Sequence, residues 1–156
     1  MVVRSILPYR KVVQKPPRIP LPKLLNTLGD HIRRARLQRG LLQRDVANIV
    51  NVSEDSVTYW ENDRAKPQVQ HYRSIILFLG YYPFAHETES IAGKLKQLRY
   101  CMGLSYEECG ELFAVHATTV WAWELKRNTP SPHRQSLILA RWESLPEFVK
   151  IQTPLI

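Results

Sequence analysis

The chain has 156 residues, 44% hydrophobic and 23% charged, with a net charge of +8. That apolar content supports a packed core in one ordinary domain or two very small ones and excludes general disorder. Two cysteines without paired spacing and five scattered histidines exclude a disulfide scaffold and a Cys/His metal site, so no metal or cofactor is expected.

Residues 1–27 hold Arg4, Arg10, Lys11, Lys15, Arg18 and Lys23 and no acid, six of the eight excess positive charges. Pro8, Pro16, Pro17, Pro20 and Pro22 remove backbone donors and fix φ, so this arm is expected to run extended. It is either a solvated tail or a basic arm lying along a phosphate backbone or in a minor groove, with Arg10, Lys11, Lys15 and Arg18 as contacts. Arg4 and Pro8 interrupt it too early for a signal peptide.

Residues 28–39 predict a helix with Leu28, Ile32 and Ala35 on one face, ended by Gly40. A second helix spans 42–50, with Val46, Ile49 and Val50 on one face. After a turn at Asn51 and Val52, Ser53 is the candidate N-cap of a third helix, 53–62, with Val57 and Trp60 inward. A loop and Pro67 lead to a fourth helix over 68–79, closed by Gly80. The apolar run 75–85 is far shorter than the ~18–20 residues that cross a bilayer, so no membrane partner is expected. Residues 81–90 read as a linker. Helices are then expected over 91–102, 105–113, 116–125 and 132–143, with an irregular tail, 144–156.

The second series repeats the first. At an offset of 63, Arg36 falls on Arg99, Gly40 on Gly103, Leu41 on Leu104, Val52 on Val115 and Val57 on Val120. Trp60 falls on Trp123, Glu61 on Glu124, Arg64 on Arg127 and Pro67 on Pro130, making nine identities over forty ungapped positions. Such agreement implies two copies of one small fold. The domains expected are therefore the arm 1–27, a first unit 28–80, the linker 81–90, a second unit 91–143 and the tail 144–156.

Two short helices joined by a tight turn, the second opening on Ser, are helix-turn-helix geometry. Arg36, Gly40, Leu41, Gln43, Val52, Ser53, Ser56, Val57, Trp60, Glu61 and Asn62 resemble the signature of the Cro/CI repressor (Xre-type) helix-turn-helix family. The second copy keeps the skeleton but is degenerate. The resemblance implies an all-α protein of two tandem four-to-five-helix lambda-repressor-like domains behind the basic arm. It also implies double-stranded DNA as partner and partly buried ion pairs, Arg36–Glu61 and Arg99–Glu124. Gln43 would hold the DNA backbone and brace the recognition helix, while Asn62, Arg64 and Lys66 would contact phosphates. Glu54, Asp55, Ser56, Thr58 and Tyr59 would face the bases, and Arg44 would help offset phosphate repulsion.

Glu54 and Asp55 depart from the family pattern. Acids in a first turn complement the helix dipole, and a carboxylate can also accept from cytosine N4. In the second copy Tyr106 replaces Gln43 and Leu125 replaces Asn62. Thr118 and Thr119 remain on its recognition face, and Lys126 and Arg127 retain phosphate-binding capacity. Trp121 would be exposed there, as an anchor for a protein partner, a contact to thymine methyls, or packing against linker or tail. Whether this copy touches DNA stays open. Extended, the linker could reach roughly 35 Å, against about 34–36 Å between successive half-sites.

These readings point to a sequence-specific transcriptional regulator, repressor-like, cytoplasmic and nucleoid-associated, reading DNA with 53–62 and, if the second copy takes part, 116–125. The alternative is a protein-interaction module, antitoxin-like or an accessory DNA-binding protein, whose second domain binds a partner or a second copy. No carboxylate cluster, nucleophile arrangement or glycine-rich phosphate loop suggests an enzyme. Units this small leave no room for a sizeable ligand pocket.

Overall fold

The structure, a computed structural model, describes residues 20–150 except Lys23 and His86. The arm positions Arg10, Lys11, Lys15 and Arg18 and residues 151–156 lie outside the described residues. What is described is all-helical: α1 (Leu28–Gln38), α2 (Gln43–Val50), α3 (Glu54–Glu61), α4 (Tyr72–Leu79), α5 (Ile91–Met102), α6 (Tyr106–Phe113), α7 (Ala117–Glu124), α8 (Pro132–Glu143) and α9 (Glu147–Lys150).

Side-chain caps set the starts. Thr27 accepts the Asp30 N–H at 3.1 Å, and the Asp30 carboxylate returns the bond to the Thr27 N–H. Ser53 caps α3 by accepting the Ser56 N–H at 3.2 Å. Ser90 and Ser105 do the same for α5 and α6. The turns repeat at the offset of 63: Gly40 and Gly103 have φ of 66° and 71°, Asn51 and Ala114 58° and 51°, Asp63 and Lys126 54° and 58°. Left-handed backbone costs a non-glycine residue ~1–2 kcal/mol, so three shared exits are a built geometry.

Three cores form. Ile32, Ala35, Val46, Ala47, Val50, Val57, Trp60, Ile75, Phe78 and Leu79 close the first unit. Leu95, Leu98, Cys109, Phe113, Val120, Trp123 and Ile138 close the second. The expected inward residues Val46, Val57, Trp60, Cys109, Val120 and Trp123 are all buried. Gly29 lets α1 meet α3, since a Cβ there would lie 1.9 Å from the Trp60 carbonyl oxygen.

The third core involves the expected linker, 81–90. Tyr82 packs with Ile76 and Val149, and the Phe84 ring lies 4.8 Å from both Tyr72 and Tyr100. The connector thus seals α4 to α5 instead of spacing them. The tail, expected to be irregular, contains α9, and its Val149 is 2% exposed. The fully buried Gln97 accepts from Trp142 Nε1 at 2.6 Å and donates to the Val149 carbonyl, tying α5, α8 and the tail together. The helix expected over 68–79 is a 3-10 turn at Val69–His71 followed by α4. Ile49, expected to share one face with Val46 and Val50, is 53% exposed. Ala47 is buried instead, because the inward stripe of α2 runs through 46, 47 and 50.

Candidate nucleic-acid interface

The first unit positions α3 with a buried fork. Arg36 Nε and Nη2 donate to the two Glu61 carboxylate oxygens at 2.7 Å each, and Nη1 donates to the Leu41 carbonyl at 3.1 Å. Gln43 extends the network: its Nε2 donates to Glu61 Oε2 at 2.9 Å, and its Oε1 accepts from Thr58 Oγ1 at 3.1 Å. The first side chain of α2 is thereby locked to the middle and end of α3. These two bonds brace α3 and occupy both ends of the Gln43 amide.

On the solvent side the groups sort by commitment. Ser56 shares a 2.9 Å hydroxyl contact with Ser53, and Thr58 is spent on Gln43. Asn62, the C-cap of α3, donates to the Thr58 carbonyl at 2.7 Å. Glu54 and Asp55 are exposed in the first turn, and Tyr59 stands out at 46% exposure. The turn at Asp63 sends the Arg64 N–H back to the Tyr59 carbonyl at 2.9 Å. Exposed Arg64 and Lys66 therefore sit just past the end of α3. Arg44 has a side chain 68% exposed and only a 3.9 Å approach to Asp45. Arg44, Arg64 and Lys66 thus flank α3 with charge available to an anion.

The second unit keeps the fork and changes the face. Arg99 Nε and Nη2 donate to Glu124 at 2.7 and 2.9 Å, and Nη1 donates to the Leu104 carbonyl at 3.2 Å. Tyr106 takes the place of Gln43, donating to Glu124 Oε2 at 3.1 Å while Arg99 stacks 4.0 Å above its ring. Burial and the adjacent Glu124 charge push the Tyr106 phenol up to about 12. Thr118 is engaged by its N-cap His116 at 2.9 Å, and Thr119 is half-buried. Trp121 is 39% exposed as expected, but the Arg127 guanidinium lies over its ring at 4.4 Å. Lys126 Nζ donates to Glu87 at 2.8 Å. That bond, with those from Ser90, holds the Glu87 carboxyl down at about 2. Both loop cations expected to bind phosphates are therefore engaged within the chain.

The sequence reading missed Glu87 and the Tyr106 hydroxyl. Glu87 lies 39 residues before Lys126, with no local pattern linking them. The Tyr106 substitution was visible, but not that its hydroxyl would replace the amide of Gln43. Burial pushes the Cys101 and Cys109 thiols up to about 12, which keeps them protonated at neutral pH. No group of His, Cys, Asp or Glu among the described residues could hold a metal ion, and no described helix is long and apolar enough to cross a membrane.

Residues 32–85 match the family model described as helix-turn-helix, which runs from α1 into the connector and stops short of α5. Neither a curated protein nor a solved structure matches the chain. Both α2 and α3 lie within the matched segment, so this part of the chain is similar to helix-turn-helix proteins.

Proposed function

We propose that the chain is a sequence-specific, repressor-like regulator that reads the major groove of double-stranded DNA with α3. The observation that carries this reading is the contrast in cations. Arg64 and Lys66 are exposed just past α3 and Arg44 makes only a 3.9 Å approach to Asp45, while Lys126 and Arg127 just past α7 contact Glu87 and Trp121. Residues 28–80 and 91–143 are two helix-turn-helix domains of one tandem repeat, and the second contacts no DNA. Arg10, Lys11, Lys15 and Arg18 of the arm add phosphate or minor-groove contacts, and the protein resides on the nucleoid.

A second reading has its own support. Trp121 and Leu125, 39% and 49% exposed on and just past α7, form an apolar face suited to protein association. In this reading the second domain holds a protein partner or another copy of the chain. Selection from a random duplex pool with the purified chain separates the readings. One short enriched motif is the expected result. Two half-motifs at fixed spacing would give α7 a reading role and contradict the DNA-silent second domain. No enrichment by folded protein would overturn sequence-specific reading and leave the interaction module.

A further inference from the structure

We infer that α3 selects cytosine, through Glu54 and Asp55, and does not read guanine; this rests on α3 being the recognition helix. Residues 54–61 include no Lys, Arg, Gln or Asn. Guanine presents two acceptors, O6 and N7, to the major groove and is read by a paired donor such as Arg; adenine is read by an amide that donates and accepts at once. No side chain within α3 offers either pattern. The remaining polar groups are already engaged: Thr58 bonds to Gln43, Ser56 to Ser53, and Asn62 to the Thr58 carbonyl.

Glu54, Asp55 and Tyr59 are left facing solvent. The Ser53 hydroxyl takes the Ser56 N–H, so the α3 cap bond is made without either carboxylate, and both acids keep their oxygens toward solvent while complementing the helix dipole. An ionised carboxylate only accepts, and the base edge that only donates in the major groove, at N4, is cytosine's. Two carboxylates near the phosphate backbone raise the cost of any other docking, so the acids also exclude sites without a donor at that place. Arg44 on α2, with Arg64 and Lys66 past the far end of α3, supplies the charge that keeps DNA bound.

The test repeats the duplex selection with the full wild-type chain, Glu54→Gln and Asp55→Asn. Wild type should enrich a motif with at least one required cytosine. Inverting that C·G pair in the selected duplex should weaken binding at least about fivefold. One of the two variants should move the preference at that position from cytosine to adenine, because an amide matches adenine N6 and N7. Both side chains are exposed, so both variants should keep wild-type helicity and melting. A clear wild-type motif left unchanged by both variants would overturn the cytosine assignment while leaving α3 as a DNA reader. A wild-type motif read as guanine through α3 would do the same. No motif at all would defeat the DNA reading itself, and this inference with it.

Discussion

Both units clamp an arginine of their first helix in a glutamate at the end of their third, and both turn the spare guanidinium nitrogen onto a backbone carbonyl. They part company at the solvent face. Around α3 the polar side chains brace the helix from behind and leave flanking cations free; around α7 an aromatic ring and a carboxylate absorb the corresponding cations. Packing constrains the buried fork by volume and charge, since stranding either partner is costly. The face is constrained only by what it must touch. Loss of function in a fork variant therefore reports folding, and only face variants report contact.

The largest effect should come from breaking a fork. The side chains of Arg36, Glu61, Arg99 and Glu124 are at most 10% exposed, so Glu61→Ala should cost ~3–5 kcal/mol in denaturant unfolding. Glu124→Ala should cost the same, with Tyr106 also left unpaired. If the two costs differ greatly, the forks are not equivalent.

Next is Gly29→Ala, whose Cβ would overlap the Trp60 carbonyl. About 1–3 kcal/mol of overpacking is expected, with α3 displaced and DNA affinity reduced. Position 92, the matching residue of the second unit, is already Ala. A smaller gain is expected from Ala114→Gly. Relief of its left-handed backbone at φ 51° should stabilise the protein by ~1 kcal/mol in thermal unfolding.

The mildest effect concerns Glu87. Its carboxyl is held below the ordinary value of 4.5, at about 2. Its contribution to stability is therefore present above pH ~4.5 and is lost as the pH falls toward 2. A carbon-detected NMR titration should place the Glu87 midpoint near 2, and Lys126→Ala should return it toward its ordinary value.

Much of this scaffold was legible because its signals are local. Gly40, Gly103, Ser53 and the Trp–Glu pairs mark helix ends within a few residues. What escaped depends on contacts between distant segments. The buried Gln97 gains its partners 45 and 52 residues downstream, and Tyr82 is buried only because α4, α5 and the tail converge on it. Ile49 leaves the face of Val46 and Val50 because an eight-residue helix lets two neighbouring stripes compete, and Ala47 fills the buried one. At the interface, residue types on α3 could be read from the order of the chain. Which of them were already hydrogen-bonded could not, and that distinction separates Thr58 from Asp55 and Lys66 from Lys126.

The most direct measurement is the salt dependence of affinity for a selected duplex, comparing wild type with R64A/K66A and with K126A/R127A. Each lost phosphate contact should reduce the slope of log affinity against log salt by about 0.9. The first double variant should therefore lose roughly 1.8 in slope, and the second should match wild type. Equal losses in both would mean that α7 meets DNA as α3 does, and would contradict the division of labour between the two units.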